Sequence, residues 1–300
     1  MDKHIELEQF LNLPVDEIAE LVRIGGLKVC VFPFNGTRRW FFLEHGQEKH
    51  QDMLSAYNDL TGKRYIEMYR MLFEHGIETV LAPVFGGDIM DRGEEYMHAI
   101  GTAMTNLADH PDFCSFYREK DVRVHFYGNY RKIFADGPYE FITEAFDKST
   151  AETSTHQNHR LFYGVFGNDA TEAAAEIAIQ FFQQHSRIPT RREIIERYYG
   201  EPVEKADIFI GFEKFSAFDY PLLNWGDESL YFTAAPSLFM SENQLRHILY
   251  DHLYSRTIGE PEYQSMSRPQ FEAMRKYYEE HRETTYGIGE IHNGIWYQKH

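Results

Sequence analysis

The stretch VFPFNGTRRWFF, residues 31–42, places the polar segment Asn35–Arg39 between two apolar runs. The residues before it, Leu27–Pro33, are rich in Val, Cys and Phe, which is typical of a buried strand. A strand that leads into a glycine and a hydroxyl residue can offer backbone N–H groups to a phosphate, and adjacent arginines can bind the same anion. Spacing alone leaves two interpretations open: an anion-binding turn, or a solvated turn with surface arginines.

Beyond this segment, strand-like runs alternate with helical patterns along the chain. Helices are predicted at Tyr57–His75 and Arg92–Ala108. Further strands are predicted at Ile77–Phe85, Val122–Tyr127, Leu161–Phe166, Ile208–Phe212 and Leu230–Thr233. Helices that alternate with near-continuous apolar strands predict an α/β fold, with a mostly parallel central sheet and helices on both faces.

The chain is predicted to form one domain over residues 1–300, because no repeat, low-complexity linker or change in composition divides it. The polar segment Lys148–Asn158 is predicted to be a loop. In an open α/β sheet the ligand binds outside the carboxyl ends of the strands. The segment FGGDIMDRG, residues 85–93, follows the second strand and is therefore expected beside Asn35–Arg39.

The charge of the chain narrows the class of partner. It has 30 Lys and Arg residues against 47 Asp and Glu residues, which gives a net charge of −17. This disfavours nucleic acids and anionic membrane surfaces, because binding a phosphate backbone requires lysines and arginines. An anionic substrate would need a local basic cluster, which Arg38 and Arg39 supply. No apolar run is long enough to span a membrane and no signal peptide is apparent, so we expect a cytoplasmic protein.

Two further segments could contribute to the same edge of the sheet. Asp88 and Asp91 lie three residues apart, where their carboxylates could hold a hard cation beside a phosphate. They could equally cap the helix that follows. Gly167–Asp169 ends a strand before an alanine-rich helix and is open to the same two interpretations. Helix capping is the simpler explanation of both segments when each is taken alone.

Taken together, seven stretches resemble the bacterial diterpene synthases of the cis-prenyltransferase superfamily. They are VFPFNGTRRWF, MLFEHGIETV, HRLFYGVFGNDA, PTRREIIERYYGE, KADIFIGFEKFSAFDYPLL, SLYFTAAPS and IHNGIWY. In that superfamily the first strand ends in an Asp-Gly-Asn-x-Arg-x-Trp-like sequence, which Gly36, Arg39 and Trp40 match. The resembling stretches run over nearly the whole length of the chain.

The resemblance implies an undecaprenyl diphosphate synthase-like fold that no longer elongates chains. Elongating members hold a second diphosphate with two arginines, and Ile208 and Lys214 stand at those positions here. Ser229 stands at the position of a later magnesium-binding Glu, although Glu228 is adjacent and a one-residue shift of the alignment would restore the Glu. One allylic diphosphate site would remain, in which Gly36, Thr37, Arg38 and Arg39 bind the substrate diphosphate.

The chemistry implied by the resemblance is the ionisation of a bicyclic allylic C20 diphosphate, such as kolavenyl or tuberculosinyl diphosphate. Our main expectation is that water captures the cation and gives a tertiary alcohol such as kolavelool or tuberculosinol. Adenosine is the alternative acceptor and would give a nucleoside conjugate. Tyr57 and Tyr96 would lie near the reacting carbon as catalytic residues. The implied cofactor is Mg²⁺, with Asn35, Asp88 and Asp91 as its expected ligands and as further catalytic residues.

Asn35 departs from the family, whose members have Asp at this position. An Asn keeps the shape and one acceptor oxygen of an Asp but loses the negative charge and any general-base role. Three explanations are open: a substitution introduced into an Asp-bearing enzyme, a natural Asn with the metal carried by Asp88 and Asp91, or a non-catalytic partner subunit that binds isoprenoid diphosphates.

Quaternary structure is a further implication of the resemblance. Members of the superfamily usually form homodimers through a pair of late helices. The segments expected to take this part here are Glu242–Tyr254 and Gln270–His281.

Overall fold

The computed structural model describes residues 5–86, 94–135, 137–167, 169–256, 259 and 262–299, and within 94–99 it describes the backbone alone. Six of the described strands form one sheet: β1 Val29–Val31, β2 Thr79–Phe85, β3 Val122–Tyr127, β4 His159–Val165, β5 Ile208–Phe212 and β6 Ser229–Thr233. Their order is β3-β4-β2-β1-β5-β6, and every pairing between neighbours is parallel. The predicted α/β fold with a parallel central sheet is confirmed.

The described helices connect these strands and cover the sheet. Those before β3 are α1 Leu7–Leu11, α2 Val15–Ile24, α3 Thr37–His45, α4 Met53–Glu74, α5 Glu94–Asp109 and α6 Pro111–Glu119. Those after it are α7 Tyr130–Phe134, α8 Glu140–Thr153, α9 Thr171–His185, α10 Arg191–Tyr199, α11 Glu242–Tyr250 and α12 Arg268–Glu280. A short antiparallel hairpin follows, β7 Gly289–His292 with β8 Ile295–Gln298. Among the described residues, no helix combines the length and apolarity needed to cross a bilayer.

The core has two layers, one on each face of the sheet. In β1, Cys30 packs into a layer with residues of α4, α5 and α6, whereas Val29 and Val31 pack into the opposite layer with residues of α10. All three side chains are fully buried. Successive strand residues point to opposite faces, so a strand covered on both sides has to be apolar at every position. This explains the continuous apolar run in the sequence.

The predicted strands are confirmed, with ends that shift by up to two residues. Val122–Tyr127 and Ile208–Phe212 are matched to the residue, whereas Leu27–Pro33 shortens to Val29–Val31. The predicted helix at Tyr57 begins earlier, at Met53, because Asp52 caps it and accepts hydrogen bonds from the Leu54 and Ser55 N–H groups.

The prediction of a loop at Lys148–Asn158 is wrong for the first part of the segment, because α8 continues to Thr153 and only residues 154–158 connect it to β4. Ile142, Phe146 and Ser149 form its buried stripe at helical spacing, while the polar residues between them face solvent. Thr153 ends this stripe: its hydroxyl donates to the Ser149 carbonyl (2.9 Å) and accepts from the Val124 N–H of β3 (3.0 Å). A buried stripe that includes Ser and Thr is what made the segment resemble a loop.

Candidate active site

A cavity of about 740 Å³ opens at the carboxyl edge of the sheet, between α3, α4 and α5. This is the edge at which ligands bind in open α/β sheets, and the volume falls within the range of about 300–1,000 Å³ that small-molecule sites occupy. One end of the cavity is polar and is lined by residues 35–39. The walls are largely apolar and include Phe34, Phe41, Val84, Phe85, Leu107 and Phe113.

Residues 36–39, which we call the anion cradle, form the polar end. Gly36 precedes α3 and has a left-handed backbone (φ 73°), and Thr37, Arg38 and Arg39 form the first turn of the helix. A Cβ on Gly36 would lie 2.8 Å from the Phe212 ring and 3.0 Å from Pro236, so this position requires glycine. Sequence spacing left a solvated turn or an anion site open, and the structure has a helix N-terminus facing the cavity.

The first turn of α3 leaves backbone N–H groups available to a ligand. No described side chain caps this helix, and the first hydrogen bond along it runs from the Trp40 N–H to the Gly36 carbonyl (2.9 Å). The N–H groups of Thr37, Arg38 and Arg39 therefore have no partner within the helix. Unpaired N–H groups at the positive end of a helix dipole are suited to bind an anion such as a phosphate.

The chain just before the anion cradle is fixed by Ser237, which follows β6. The Asn35 N–H donates to the Ser237 hydroxyl (3.1 Å), and the Ser237 N–H donates to the Asn35 carbonyl (3.1 Å). The Ser237 hydroxyl also donates to the Pro33 carbonyl (3.3 Å). Ser237 is fully buried. Sequence reasoning missed this residue, because a serine about 200 positions away carries no signal of its own.

The two arginines of the anion cradle differ in environment. Arg38 is exposed, whereas the Arg39 side chain is 37% exposed. An Arg39 guanidinium nitrogen lies 3.4 Å from a Glu213 carboxylate oxygen, and the guanidinium lies 5.3 Å from the centre of the Phe212 ring. Both arginines line the cavity, and their binding of a substrate diphosphate stays a prediction. Glu213 was not among the residues predicted from the sequence.

Three hydroxyl groups meet beside the anion cradle. The Thr37 and Tyr57 hydroxyl oxygens are 2.7 Å apart, and Tyr65 hydrogen-bonds to Thr37 as well. Burial raises the pKa of the Tyr65 phenol, the neighbouring Tyr57 raises it further, and the hydrogen bond to Thr37 only partly opposes the shift. Tyr65 therefore stays protonated at neutral pH and can act as a hydrogen-bond donor but not as a base. Tyr57 lines the cavity, its catalytic role stays a prediction, and Tyr65 was missed.

The predicted metal ligands are only partly within the described residues. Asp88 and Asp91 lie outside them, as does the side chain of Tyr96. Asn35 lines the cavity, but the described lining contains no carboxylate, and the described residues contain no cluster of acids, histidines and cysteines able to hold a metal. Mg²⁺ in proteins usually takes one or two carboxylates in addition to substrate phosphates. The described residues therefore do not by themselves fit a Mg²⁺ site.

The positions where elongating relatives bind a second diphosphate are not part of this cavity. Ile208 is fully buried in β5, and Lys214 is exposed after it. Ser229 begins β6 at the opposite edge of the sheet, and its hydroxyl lies 2.9 Å from His252. The Glu228 carboxylate accepts hydrogen bonds from the Tyr220 hydroxyl and the Gly226 N–H. None of these residues is among the described lining of the cavity.

Two solved structures illustrate the similarity of the fold to known proteins. A lavandulyl diphosphate synthase from Lavandula x intermedia, in complex with dimethylallyl diphosphate, matches with a TM-score of 0.60 at 12% identity, over 75% of this chain and 94% of that chain. A probable undecaprenyl diphosphate synthase from Campylobacter jejuni matches with a TM-score of 0.55 at 10% identity, over 78% and 98%. At such low identity these matches establish the fold alone, which is that of the cis-prenyltransferases.

Sequence comparison decides the family. No family model matches the chain. Tuberculosinyl adenosine transferase of Mycobacterium tuberculosis is 47% identical over 292 residues, which cover 97% of both chains. The chain belongs to the bacterial diterpene synthases of the cis-prenyltransferase superfamily. A second member of this family, (+)-kolavelool synthase of Herpetosiphon aurantiacus, is 23% identical over 97% of this chain and 94% of its own. Membership of this diterpene synthase family places the chain among the prenyl-transfer and terpene synthase enzymes of terpenoid biosynthesis.

Proposed function

We propose that this chain ionises a bicyclic allylic C20 diphosphate and transfers the diterpenyl group to an acceptor, with loss of diphosphate. The observation that carries the proposal is the anion cradle, whose unpaired N–H groups and two arginines open onto a largely apolar cavity. This arrangement suits a ligand with a diphosphate at one end and a hydrocarbon body at the other.

Each end of the cavity has a distinct task in this reaction. As the C–O bond breaks, negative charge grows on the leaving diphosphate, where the N–H groups of α3 and the guanidinium groups of Arg38 and Arg39 stabilise it. Groups that bind the developing charge more strongly than the ground state lower the barrier. The allylic cation is left among aromatic side chains such as Phe41, which packs edge to face on Tyr57 with ring centroids 5.4 Å apart. Ring faces attract cations.

Adenosine is the acceptor that we favour. The argument is the degree of relatedness: identity is 47% with a tuberculosinyl adenosine transferase and 23% with a kolavelool synthase, over nearly the full chain in both cases. Water, which was the main expectation from the sequence, is the second candidate here. It is supported by the hydroxyl pair of Thr37 and Tyr57, which can orient a water molecule at the polar end of the cavity.

Mg²⁺ is part of the proposal, with Asp88 and Asp91 as its carboxylate ligands and Asn35 as a neutral one. Bound there, the ion would neutralise charge on the leaving diphosphate. Tyr96 is retained as a proposed catalytic residue near the reacting carbon.

The test is a product assay with the chain as it stands. Kolavenyl and tuberculosinyl diphosphates are incubated separately with the protein and Mg²⁺, with and without isotopically labelled adenosine, and products are identified by mass spectrometry. We expect a labelled diterpenyl adenosine, and a diterpene alcohol when adenosine is absent. An alcohol alone in both reactions would identify water as the acceptor. If neither substrate releases diphosphate, even with Asn35→Asp, the proposal fails, and tight substrate binding without turnover would identify a non-catalytic binding subunit.

A further inference from the structure

Glu213 occupies an unusual position at the end of β5. Its backbone is left-handed (φ 65°), a conformation that residues other than glycine and asparagine rarely adopt. Its N–H donates to the Thr233 carbonyl of β6 (3.0 Å), which fixes the backbone at this point. The carboxylate is thereby held 3.4 Å from the Arg39 guanidinium, and the Glu213 side chain is only 18% exposed. Strained residues of this kind concentrate at functional sites.

The contact changes the charge available to a ligand. Arg38 and Arg39 bring two positive charges to the anion cradle, and one carboxylate beside Arg39 offsets one of them. Phe212, the last residue of β5, packs so close to Gly36 that it restricts position 36 to glycine, and it offers only a ring to a ligand. Lys214 is exposed, forms no ion pair with a described residue and is not among the described residues that line the cavity.

We propose that Glu213 is a specificity-determining residue that limits this site to one anionic headgroup and thereby restricts the acceptor to an uncharged molecule. The inference rests on the proposed function, because it assigns the chemical class of the acceptor at that site. The substrate diphosphate binds to the α3 N–H groups and to Arg38. It also contacts Arg39, which remains paired with Glu213. A second anion approaching from β5 meets a carboxylate and the Phe212 ring, and Lys214, the neighbouring cation, is not among the described residues that line the cavity.

Glu213 has two opposing effects on anion affinity, and their sizes decide the prediction. The ion pair holds the Arg39 guanidinium in place, which helps binding, but ordering a half-exposed side chain changes affinity only slightly. The carboxylate also repels the diphosphate, and charges separated by a few ångströms near a protein surface interact strongly. Repulsion outweighs ordering, so neutralising Glu213 should tighten anion binding.

The test is calorimetric titration of the full chain with inorganic diphosphate in the presence of Mg²⁺. The wild type is expected to bind one diphosphate per chain, and Glu213→Gln to bind it about tenfold more tightly. Glu213→Gly serves as a second variant, because it removes the carboxylate and suits the left-handed backbone. Glu196→Gln, an exposed glutamate on α10, is the matched control and should not change affinity.

The outcomes separate this inference from the proposed function. A wild type that binds two diphosphates per chain, or variants that bind diphosphate no more tightly than the wild type, would overturn the role of Glu213 without touching the proposed reaction. A wild type that binds no diphosphate at all would contradict both, because the anion cradle itself would then be wrong.

Discussion

Gly36 has a left-handed backbone and no room for a Cβ. Its replacement by alanine therefore tests whether this single residue sets the geometry of the anion cradle. We expect Gly36→Ala to lower the free energy of unfolding by about 2–5 kcal/mol, since backbone strain costs about 1–2 kcal/mol and overpacking against Phe212 adds about 1–3 kcal/mol. Diphosphate affinity should fall at least about tenfold, because the N–H groups of α3 would be displaced. Denaturant unfolding and calorimetry measure the two effects.

Gly226→Ala is the matched control for this prediction. Gly226 also has a left-handed backbone (φ 82°), but a Cβ there would meet nothing within 4 Å. Gly226→Ala should lower the free energy of unfolding only by the cost of the backbone strain, and it should leave diphosphate affinity unchanged. Equal losses in both variants would mean that Phe212 and Pro236 do not restrict position 36.

We expect the side chain at position 35 to set how strongly the site holds a metal. Asn35→Asp adds a hard carboxylate ligand at the polar end of the cavity, so we expect Mg²⁺ to bind at least about tenfold more tightly in the presence of diphosphate. The same variant should also turn over the C20 diphosphate faster than the wild type. Titration calorimetry and diphosphate release measure the two quantities.

Asn106→Asp adds the same charge to another residue that lines the cavity and is the control for Asn35→Asp. It should raise neither Mg²⁺ affinity nor turnover. If both variants behave alike, the effect comes from net charge in the cavity and position 35 is not a metal ligand.

At the scale of secondary-structure elements, Glu201 couples the stability of the fold to pH. This residue lies just after α10. Its carboxylate lies 2.8 Å from Arg123 of β3, 3.8 Å from Arg160 of β4 and 3.6 Å from His125. Burial alone would raise the pKa of Glu201, but the contacts with His125 and Arg123 outweigh it and lower the pKa to about 2. The ionised carboxylate therefore ties α10 to two neighbouring strands.

Because the folded-state pKa of Glu201 lies below its ordinary value of 4.5, its contribution to stability is complete above pH 4.5 and is lost as the pH falls towards 2. We expect Glu201→Gln to lower the free energy of unfolding by roughly 2–3 kcal/mol at pH 7. The difference from the wild type should shrink between pH 4.5 and pH 2. Denaturant unfolding at a series of pH values measures it.

Glu172→Gln on α9 is the control for Glu201→Gln, because Glu172 forms an exposed ion pair with Lys132 (3.0 Å). Exposed pairs contribute little to stability. A pH-independent difference between Glu201→Gln and the wild type would show that packing, and not charge, is what Glu201 supplies.

Elements could be predicted where one pattern dominates. The central strands β1 and β5 are covered on both faces, so each is a continuous apolar run that the sequence reveals. The anion cradle was recognisable because Gly36 and the two arginines are contiguous. Tyr65, Glu213 and Ser237 could not be predicted, because their roles depend on contacts with residues 34–39 that only the fold creates. The error at α8 has the same origin, since Ser149 and Thr153 are buried through partners in space.

At the scale of the whole molecule, the proposed homodimer is supported by the C-terminal region. α12 has no buried residue, and its apolar side chains Phe271, Tyr277 and Tyr278 are exposed. By contrast, α11 buries Leu245 and Leu249 within its own chain. Of the two segments expected at the dimer interface, Glu242–Tyr254 is therefore less suited to that role than Gln270–His281. That residues 1–300 form one domain stays a prediction.

We expect the wild type to be a dimer in light scattering and the double variant Phe271→Ser/Tyr278→Ser to be largely monomeric, because exposed aromatic side chains are typical anchors of protein interfaces. Phe182→Ser, an exposed phenylalanine on α9, is the control and should remain dimeric. A monomeric wild type, or a double variant that stays dimeric, would exclude α12 as the interface.

The most direct test of the whole account is a crystal structure with Mg²⁺ and a non-hydrolysable thiolodiphosphate analogue of the bicyclic C20 substrate. The account predicts that the diphosphate lies within hydrogen-bonding distance of the Thr37–Arg39 N–H groups and both guanidinium groups, with the hydrocarbon in the cavity below. A diphosphate bound elsewhere, or arginines that face bulk solvent in the complex, would contradict it.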